Sequence, residues 1–282
     1  MKKEEFIEYL NKFTNGELAY ESLINKKEYF RVNSLKVKEF KTKLECEQSK
    51  YFNLGYKYSG KKQLGRSWEY FLGYVHPQSL SSMIPPLVLN PTSEDKVLDI
   101  TAAPGGKSSQ MSAMMNNKGM LVANDKKEKE GALFGNITRL GVLNTIVTIR
   151  DAKDFGKKNY FTKVLVDAPC SALGGERYSH LRYVEKDSGI LSKIQKRIIV
   201  SAFDSLEEEG ELVYSTCTFS PMENEEVVKH LLEKRGEGEL MGINLEIPHS
   251  KGLEGFEKCW RIYPQDLQSE GFFIAKIKKG SR

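Results

Sequence analysis

Two short segments of the chain each place a cysteine directly after an apolar run that is typical of a buried strand. The first segment is Val166–Cys170 and the second is Tyr214–Cys217. In an open α/β sheet, ligands bind in the crevice outside the carboxyl ends of the strands. Two thiols and the carboxylate of Asp167 at one crevice favour covalent chemistry over packing, because a thiolate is a strong nucleophile.

Further polar residues follow other apolar runs in the same way. Asp99, Asp125 and Asp151 each come at or directly after a predicted strand, and a Gly-rich turn spans residues 101–107. A single Asp after a strand is usually a turn or helix-cap residue, but the agreement of several such positions favours a binding crevice. Asp125 stands where an acidic residue would accept hydrogen bonds from ribose hydroxyls.

The Gly-rich turn matches neither common phosphate-binding pattern. It is not Gly-x-Gly-x-x-Gly, and the first Gly that a Gly-x-x-x-x-Gly-Lys-Ser loop requires is Thr101 in this chain. Small residues still allow a ligand to approach the backbone closely, and the start of the following helix offers free N–H groups. The turn therefore favours a nucleoside ligand over a triphosphate.

The elements that position these residues alternate between strand and helix after residue 73. Strands are predicted at 96–100, 120–124, 145–149, 163–166, 211–214 and 271–278. Three helices are predicted between them: one that begins near residue 108, one that ends at residue 140, and one over 188–206. A further helix is predicted to open at Pro221, with Ser220 as its cap and Glu223 closing a capping box. This alternation indicates the α/β class, with a mostly parallel sheet covered by helices on both faces.

The first part of the chain has a different character, and we place a domain boundary near Gly73. A short amphipathic helix is predicted over 4–13. Residues 26–66 contain 12 Lys or Arg against 4 Asp or Glu, with seven aromatic residues interleaved. Basic charge binds phosphate and aromatic rings stack on unpaired bases, so this composition fits RNA binding. It fits a lysine-rich solvated face around an ordinary aromatic core equally well.

The four cysteines and the hydropathy pattern limit the remaining possibilities. Cys46, Cys170, Cys217 and Cys259 have no zinc-site spacing and imply no disulfide framework, so we expect no metal, and Cys46 and Cys259 to be buried small residues. The sequence has no apolar run long enough for a membrane span and no signal-peptide pattern at its start. We therefore expect a cytoplasmic protein without a membrane partner.

Taken together, these motifs closely resemble the RNA cytosine-5 methyltransferases of the Sun or NOL1/NOP2 type. The resemblance rests on residues 99–107, 167–171 and 214–218, the last followed by 221–225. The upstream segments 31–36, 78–85 and 139–141 and the tail segments 261–264 and 271–275 also match the family pattern. The two cysteine motifs in this order are highly specific, and the resemblance runs from about residue 30 to the end.

The resemblance implies a Rossmann-like domain that binds S-adenosyl-L-methionine, with a small α+β RNA-binding domain (1–72) before the catalytic domain (73–282). Asp125 is then expected at the ribose, Asp151 at the adenine edge, and Asp167 between cofactor and target base. The methionine part of the cofactor is expected to be held by Thr101, Ala102, Ala103, Pro104, Gly105, Gly106 and Lys107.

The resemblance also assigns the chemistry. Cys217 is expected to attack C6 of the cytosine, Cys170 to assist loss of the C5 proton or release of the enzyme, and Lys107 to contact the base carbonyl or a phosphate. In the basic first domain, RNA contacts are expected from Arg31, Asn33 and Lys36. Two positions depart from the usual pattern: Thr101 replaces a common Cys, and residues 171–175 replace Ser-Gly-x-Gly beside Cys170.

Three functions are compatible with this sequence. An RNA cytosine-5 methyltransferase uses all of the motifs, and the layout is most similar to compact archaeal tRNA enzymes, so tRNA is the favoured substrate and rRNA the alternative. A small-molecule or protein methyltransferase shares the fold but leaves both cysteines idle. A non-catalytic RNA-binding assembly factor has no need of intact Cys217, Cys170 and Asp167. We expect the protein to be a monomer.

Overall fold

A computed structural model describes residues 1–175, 177–183 and 185–281, with the side chain of Lys186 left out. The first part of the chain forms two helices and a small antiparallel sheet, with strand order β2-β3-β1-β4. Its elements are α1 (Lys3–Asn11), α2 (Gly16–Ile24), β1 (Glu28–Val32), β2 (Cys46–Gln48), β3 (Gly55–Tyr58), α3 (Trp68–Phe71) and β4 (Val75–Pro77). This sheet extends past residue 73, because β4 pairs with β1.

The rest of the chain builds a larger mixed sheet with helices packed against it. Its elements are α4 (Ile84–Leu89), β5 (Lys96–Asp99), α5 (Gly106–Met114), β6 (Met120–Asp125), α6 (Glu130–Leu140), β7 (Thr145–Ile149), β8 (Phe161–Asp167), α7 (Ser179–Arg182), α8 (Glu185–Ser205), β9 (Leu206–Thr216), α9 (Glu225–Lys234), β10 (Gly238–Met241), β11 (Ser250–Lys251), β12 (Trp260–Ile262), α10 (Pro264–Leu267) and β13 (Phe272–Lys279).

The strands of this sheet follow the order β11-β12-β13-β9-β8-β5-β6-β7, with β10 pairing with β13 beside this path. The pairs from β9 through β7 are parallel, and the pairs that β13 makes with β9, β12 and β10 are antiparallel. The strand order changes direction at β5, because β6 and β7 lie on one side of β5 and β8 and β9 lie on the other. A ligand crevice forms at such a switch point.

Side chains of the central strands alternate between two hydrophobic cores, as strands buried on both faces require. On one face, Leu98 and Val164 pack with α8 and α9 residues such as Phe203. On the other face, Val97 and Leu165 pack with residues of α4 and α5. The predicted α/β architecture with helices on both faces is therefore confirmed.

Most predicted elements lie within three residues of their observed bounds, and one helix start is wrong. Residues Pro221–Asn224 form a turn, and α9 begins only at Glu225. Ser220 is not its cap, because the residue at the N-cap position is Asn224. The carboxylate of Glu223 turns inward and binds groups near Cys170, so it does not close a capping box.

Helices α1 and α2 pack against loops at one end of the larger sheet. Phe6 and Leu23 share a core with Leu173 and Phe219, which lie in the loops that follow β8 and β9. The first residues of the chain therefore support the segments that carry the two cysteines. In the part of the chain that the structure describes, no helix is long and apolar enough to cross a membrane.

Candidate active site

The two cysteines lie side by side at the carboxyl ends of β8 and β9. These strands pair in parallel with Asp167 level with Ser215, so the short extensions to Cys170 and Cys217 start together. Their Sγ atoms are 3.4 Å apart. The hydrogen bond with Cys170, followed by burial, raises the pKa of Cys217 well above its ordinary value. Cys217 therefore rests as a neutral thiol at neutral pH.

Asp167, the last residue of β8, is held in a fixed orientation beside the thiols. Lys107 Nζ lies 2.8 Å from Asp167 Oδ2, and Ser215 Oγ donates to Asp167 Oδ1 at 2.9 Å. Lys107 also donates to Ser82 Oγ at 2.8 Å. A lysine and a carboxylate at this distance present one donor and one acceptor edge, which suits recognition of a planar polar group.

A cavity of about 760 Å³ opens at the carboxyl ends of the parallel strands. Seven of the expected site residues line it, namely Thr101, Ala103, Asp125, Asp151, Asp167, Cys170 and Cys217. Its size lies within the range of roughly 300–1,000 Å³ that small-molecule and cofactor sites occupy. This cavity is large enough for a nucleoside cofactor that reaches the thiols.

The turn after β5 contains a glycine in the left-handed region, and its backbone is bonded to Asp125 at the end of β6. Gly105 has φ +101°, in the left-handed region, and stands at the N-cap of α5. The N–H of Ala103 donates to Asp125 Oδ2 at 2.9 Å, and the N–H of Lys126 donates to Asp125 Oδ1 at 2.8 Å. Each carboxylate oxygen retains a further lone pair, so Asp125 can also accept from ribose hydroxyls.

Asp151 lies farther out on the same cavity wall, after β7. Its carboxylate accepts a hydrogen bond from the N–H of Lys153 at 2.9 Å and lies 3.2 Å from Lys153 Nζ. The backbone hydrogen bond is the largest cause that lowers the pKa of Asp151. Asp151 is therefore an ionised acceptor at neutral pH, as a partner for the amino group of adenine must be.

A second cavity of about 630 Å³ adjoins the first and shares its inner wall. Thr101, Ala103, Asp167, Ala168 and Cys217 line both cavities. Four further residues of the Gly-rich turn line only the second cavity, namely Ala102, Pro104, Gly106 and Lys107. Gly105 lines neither cavity. Asp167 and the nucleophile candidate Cys217 thus stand between two ligand-sized spaces.

Two buried polar atoms at this boundary have no hydrogen-bond partner among the described residues, Thr101 Oγ1 and Asp99 Oδ1. Buried polar groups in proteins are nearly always hydrogen-bonded, so such atoms beside a cavity fit a polar ligand. Asp99 accepts one hydrogen bond, from Ser108 Oγ at 2.6 Å, and burial raises its pKa to about 7. The donors and acceptors present therefore suit S-adenosyl-L-methionine.

Comparison with known proteins assigns this site to a family. Residues 86–278 match the family described as 16S rRNA methyltransferase RsmB/F. A tRNA (cytosine(49)-C(5))-methyltransferase of Pyrococcus abyssi is 43% identical over 229 residues, which cover 76% of this chain and 73% of that protein. The chain belongs to the RsmB/F family. The relatives that the chain matches in this family are S-adenosylmethionine-dependent RNA cytosine-C5 methyltransferases. The predicted family, enzyme class and cofactor are therefore confirmed.

Other relatives of the RsmB/F family differ in length and agree in fold. The ribosomal RNA small subunit methyltransferase F of Shewanella woodyi is 39% identical over 229 residues, which are 77% of this chain and 48% of that protein. The chain thus spans about half the length of such bacterial relatives. The crystal structure of NSun6 from Pyrococcus horikoshii with SFG superposes with a TM-score of 0.84 at 26% identity, covering 99% of this chain and 98% of that one.

Sequence reasoning missed the role of Glu223, which organises the loop after Cys170. This carboxylate is fully buried. It accepts from the N–H of Ser171 at 3.0 Å and from Gln195 Nε2 at 3.0 Å, and it also accepts from Ser188 Oγ. The signal was present in the segment 221–225, but the Pro-x-Glu spacing pointed to a helix cap. Only the approach of α8 to this turn gives Glu223 its partners.

A second missed group, Lys26, connects the N-terminal hairpin, formed by helices α1 and α2, to the loop after Cys170. Lys26 Nζ lies 2.9 Å from Glu270 Oε1 and donates to the carbonyl of Gly175. Glu270 also accepts from Ser79 Oγ at 2.7 Å and lines the second cavity. A Cβ on Gly175 would stand 3.1 Å from Cys217 Sγ, so the loop after Cys170 closes over the thiol. No motif of the sequence pointed to Lys26 or Glu270.

The three expected RNA contacts of the first domain have partners inside the protein. Arg31 is 1% exposed and donates to Gln78 Oε1 at 3.0 Å and to Ser109 Oγ at 2.8 Å. Asn33, also buried, donates to the carbonyls of Gly73 and Leu140 at 2.9 and 2.7 Å. Lys36 donates to the carbonyls of Leu72 and Arg139.

These bonds hold the N-terminal sheet against the helices α5 and α6, which is a structural task. The buried side chains of Arg31 and Asn33 do not lie on a surface that RNA could meet. Exposed Lys36 is the one of the three whose side chain stands at the surface. Among the described residues, no group of three or more His, Cys, Asp or Glu side chains could hold a metal ion.

Proposed function

We propose that this protein methylates C5 of a cytosine in tRNA, with Cys217 as the nucleophile. The observation that supports this most strongly is the placement of the paired thiols and Asp167. Asp167 and Cys217 line both a cofactor-sized cavity and a second cavity that Lys107 also lines, and Cys170 lines the first. The first cavity suits the cofactor, which supplies an electrophilic methyl group on a sulfonium. The second cavity suits the target base.

The chemistry needs a nucleophile because C5 of cytosine does not attack a methyl group by itself. Addition of Cys217 Sγ to C6 forms the C6–S bond and makes C5 enamine-like, and the thiol proton ends on N3 of the base. C5 then attacks the methyl carbon, and the methyl–sulfur bond of the sulfonium breaks with its electron pair remaining on sulfur. The C5 proton passes to Cys170 Sγ, the C6–S bond breaks, and the proton on N3 returns to Cys217 Sγ, which regenerates the cytosine ring. One difficult step becomes several easier ones.

Asp167 and Lys107 act on the base during addition. The Asp167 carboxylate accepts hydrogen bonds from the 4-amino group and from N3 once N3 carries the proton. This stabilises the charge that develops as the C6–S bond forms. Lys107 orients this carboxylate and donates to the base carbonyl. The Cys217 thiol has a raised pKa, so its deprotonation is coupled to the addition step.

Methyl transfer is tested with tritiated S-adenosylmethionine and bulk unmodified tRNA or rRNA. We expect label in RNA as 5-methylcytosine from the wild-type protein and none from Cys217→Ala. Substantial activity of Cys217→Ala would overturn the nucleophile assignment. Label confined to protein or to small molecules would instead indicate a methyltransferase with another substrate.

The role of Cys170 has its own readout. Cys170→Ala is expected to retain addition and to slow release, because the C5 proton has lost its acceptor. A covalent RNA–protein adduct should then remain on a denaturing gel. The double variant Cys170→Ala/Cys217→Ala is the control, since it cannot form the C6–S bond. Normal turnover of Cys170→Ala without adduct would contradict this role.

The choice of tRNA rests on the archaeal relative, whose name gives a tRNA cytosine as its target and of which this chain covers 73%. The second candidate substrate is rRNA, since the relative at 39% identity is a ribosomal RNA enzyme. Bisulfite sequencing of cellular RNA with and without the gene separates the two. A lost 5-methylcytosine in tRNA supports the proposal, and a loss in rRNA alone overturns the tRNA assignment.

We infer that the protein acts in the cytoplasm as a monomer. Residues 1–72 and 73–282 are its two domains, and β4 of the second adds a strand to the sheet of the first. The basic composition of residues 26–66 supports a first domain that meets RNA. The mass in solution, measured by light scattering during gel filtration, tests the monomer. A mass near 64 kDa, twice the 32.1 kDa of the chain, would contradict it.

A further inference from the structure

An aromatic patch on α3 is exposed where burial would be expected. Trp68 and Phe71 are 74% and 68% exposed, with ring centroids 6.0 Å apart at an interplanar angle of 84°. The neighbouring Leu72 and Tyr74 are 42% and 38% exposed. We call these four residues the aromatic patch. Scattered apolar side chains are ordinary on a surface, but a contiguous group of this kind marks an interaction site.

The fold does not need these side chains, because another residue anchors α3. Ser67 caps the helix by accepting from the N–H of Tyr70 at 3.1 Å. The carbonyl of Tyr70 accepts from Arg139 Nη1 at 2.7 Å, and the Arg139 guanidinium carbon lies 4.0 Å from the Tyr70 ring centroid. Trp68 and Phe71 therefore stand on a fixed support while their own rings face solvent.

Positive charge surrounds the aromatic patch. Arg139 lies beneath it, and Lys36 Nζ donates to the carbonyl of Leu72 at 3.0 Å. Exposed Arg66 precedes Trp68 in the 3₁₀ turn Leu64–Arg66. The one carboxylate on α3, Glu69, accepts from Thr42 Oγ1 at 2.7 Å. Aromatic faces with a cationic rim are the combination that binds unpaired nucleotides, through stacking and phosphate contacts.

The aromatic patch also connects to the second cavity. Arg139 Nη2 lies 3.0 Å from His76 Nδ1, and His76 lines that cavity beside Lys107 and Cys217. Arg139 therefore contacts both the support of the aromatic patch and a residue of the cavity wall. An RNA strand whose cytosine enters the cavity would have neighbouring nucleotides within reach of this surface.

We propose that Trp68 and Phe71 form a stacking platform for unpaired bases that flank the target cytosine. This inference rests on the proposed function, and it adds a requirement for locally single-stranded RNA. A base that leaves its stack exposes the faces of its neighbours, and the two rings replace the lost stacking. The two rings then contribute to binding RNA and not to the chemical step.

Intrinsic fluorescence provides a direct test, because the chain has two tryptophans and Trp260 is only 3% exposed. The probe is single-stranded oligoadenylate of about ten nucleotides, which contains no cytosine and cannot be methylated. We expect it to quench the emission of Trp68 and to protect that residue from acrylamide. Trp68→Phe, which retains only buried Trp260, should show neither effect.

Affinity for labelled oligoadenylate then separates stacking from apolar contact. We expect Trp68→Leu to raise Kd about tenfold and Trp68→Phe to stay close to the wild type, because Phe keeps an aromatic face. Leu143→Ser, at a position 82% exposed, is the control and should bind as the wild type does. Phe71→Leu provides an independent second variant with the same expectation as Trp68→Leu.

Equal affinities of the wild type, Trp68→Leu and Phe71→Leu would overturn the platform and would assign the aromatic patch to a protein partner. The outcome for methylation is separate. If the protein labels no RNA but binds oligoadenylate through Trp68, the proposed function is contradicted and the platform is not. If RNA is fully labelled and Trp68→Leu and Phe71→Leu bind as the wild type does, the platform is contradicted and the proposed function is not.

Discussion

At the scale of single residues, the thiol pair sets the reactivity of the site. The hydrogen bond with Cys170 is the first cause of the raised pKa of Cys217, ahead of burial. We predict that Cys170→Ala lowers this pKa, because the neutral thiol loses the partner that stabilises it. The rate of alkylation by iodoacetamide, measured against pH, should show its midpoint at lower pH in this variant.

Alkylation of the other cysteines is subtracted with Cys217→Ala for the wild type and with Cys170→Ala/Cys217→Ala for the variant. Cys259 is buried and Cys46 is half-buried, so their contribution should be small. A midpoint that stays in place in Cys170→Ala would show that burial alone controls the Cys217 thiol.

Asp99 provides a residue-scale prediction about stability. Burial raises its pKa to about 7 in the folded protein, above the value of about 3.9 in an unfolded chain. The folded state therefore binds the proton more tightly, and stability from this group is present below about pH 4 and lost as pH rises to about 7. In Asp99→Asn this loss should be absent.

The measurement is the free energy of unfolding by denaturant at several pH values. Between about pH 4 and pH 8, the free energy of unfolding of Asp99→Asn should rise relative to that of the wild type by on the order of 4 kcal/mol. Asp154→Asn, at a position outside the cavities around Cys217, is a suitable reference. A wild-type-minus-variant difference that does not change with pH would show that Asp99 is ionised throughout.

At the scale of elements, the N-terminal hairpin and the Cys170 loop act together. The α-amino group of Met1 donates to the carbonyl of His180 at 2.7 Å, and the rings of Phe6 and His180 stack at 4.8 Å. Lys26 follows this hairpin and binds both Gly175 and Glu270. The hairpin therefore holds the segment that covers Cys217.

We predict that Lys26→Met lowers kcat about tenfold, because small displacements of a reacting group have large effects on rate. KM for RNA should change little, since Lys26 acts on the loop. Exposed Lys27→Met is the matched control, and Lys26→Arg should restore part of the activity. A change in KM alone would indicate that Lys26 binds RNA directly.

At the scale of the whole molecule, charge is concentrated in the first part of the chain. Residues 1–72 account for the entire net charge of +5. RNA affinity should therefore fall steeply with salt. We predict that Lys61→Gln/Lys62→Gln, two exposed positions of this part, weakens binding alike for all sequences and reduces the salt slope by about 2.

Lys118→Gln is the control for this prediction. Lys118 is exposed just before β6, at the edge of the sheet opposite to the carboxyl ends that form the site. Its removal changes the net charge without changing the charge near the site. An equal loss of salt dependence in both variants would show that total charge, and not its location, controls binding.

Much of the fold and of the site could be predicted because their signals are local. Strand β7 has the bounds that its run of five β-branched residues predicts, and the crevice follows from where the parallel strands end. The cap at Ser220 was wrong, because the buried partners of Glu223 come from α8 and override a local preference. Arg31 and Asn33 were likewise predicted to contact RNA, because the type of a basic or polar residue does not show that its side chain is buried.

The sequence by itself determined the family and the cofactor class, and it predicted the residues that do the chemistry, because reacting groups must be of specific types. Only the tertiary structure decided how these groups meet. Cys170 and Cys217 are 47 positions apart in the chain, yet their sulfur atoms lie 3.4 Å apart, since parallel pairing of β8 and β9 brings their ends level. Lys26, Glu270 and the aromatic patch acquire their roles from packing alone, as contacts between distant segments leave no local pattern.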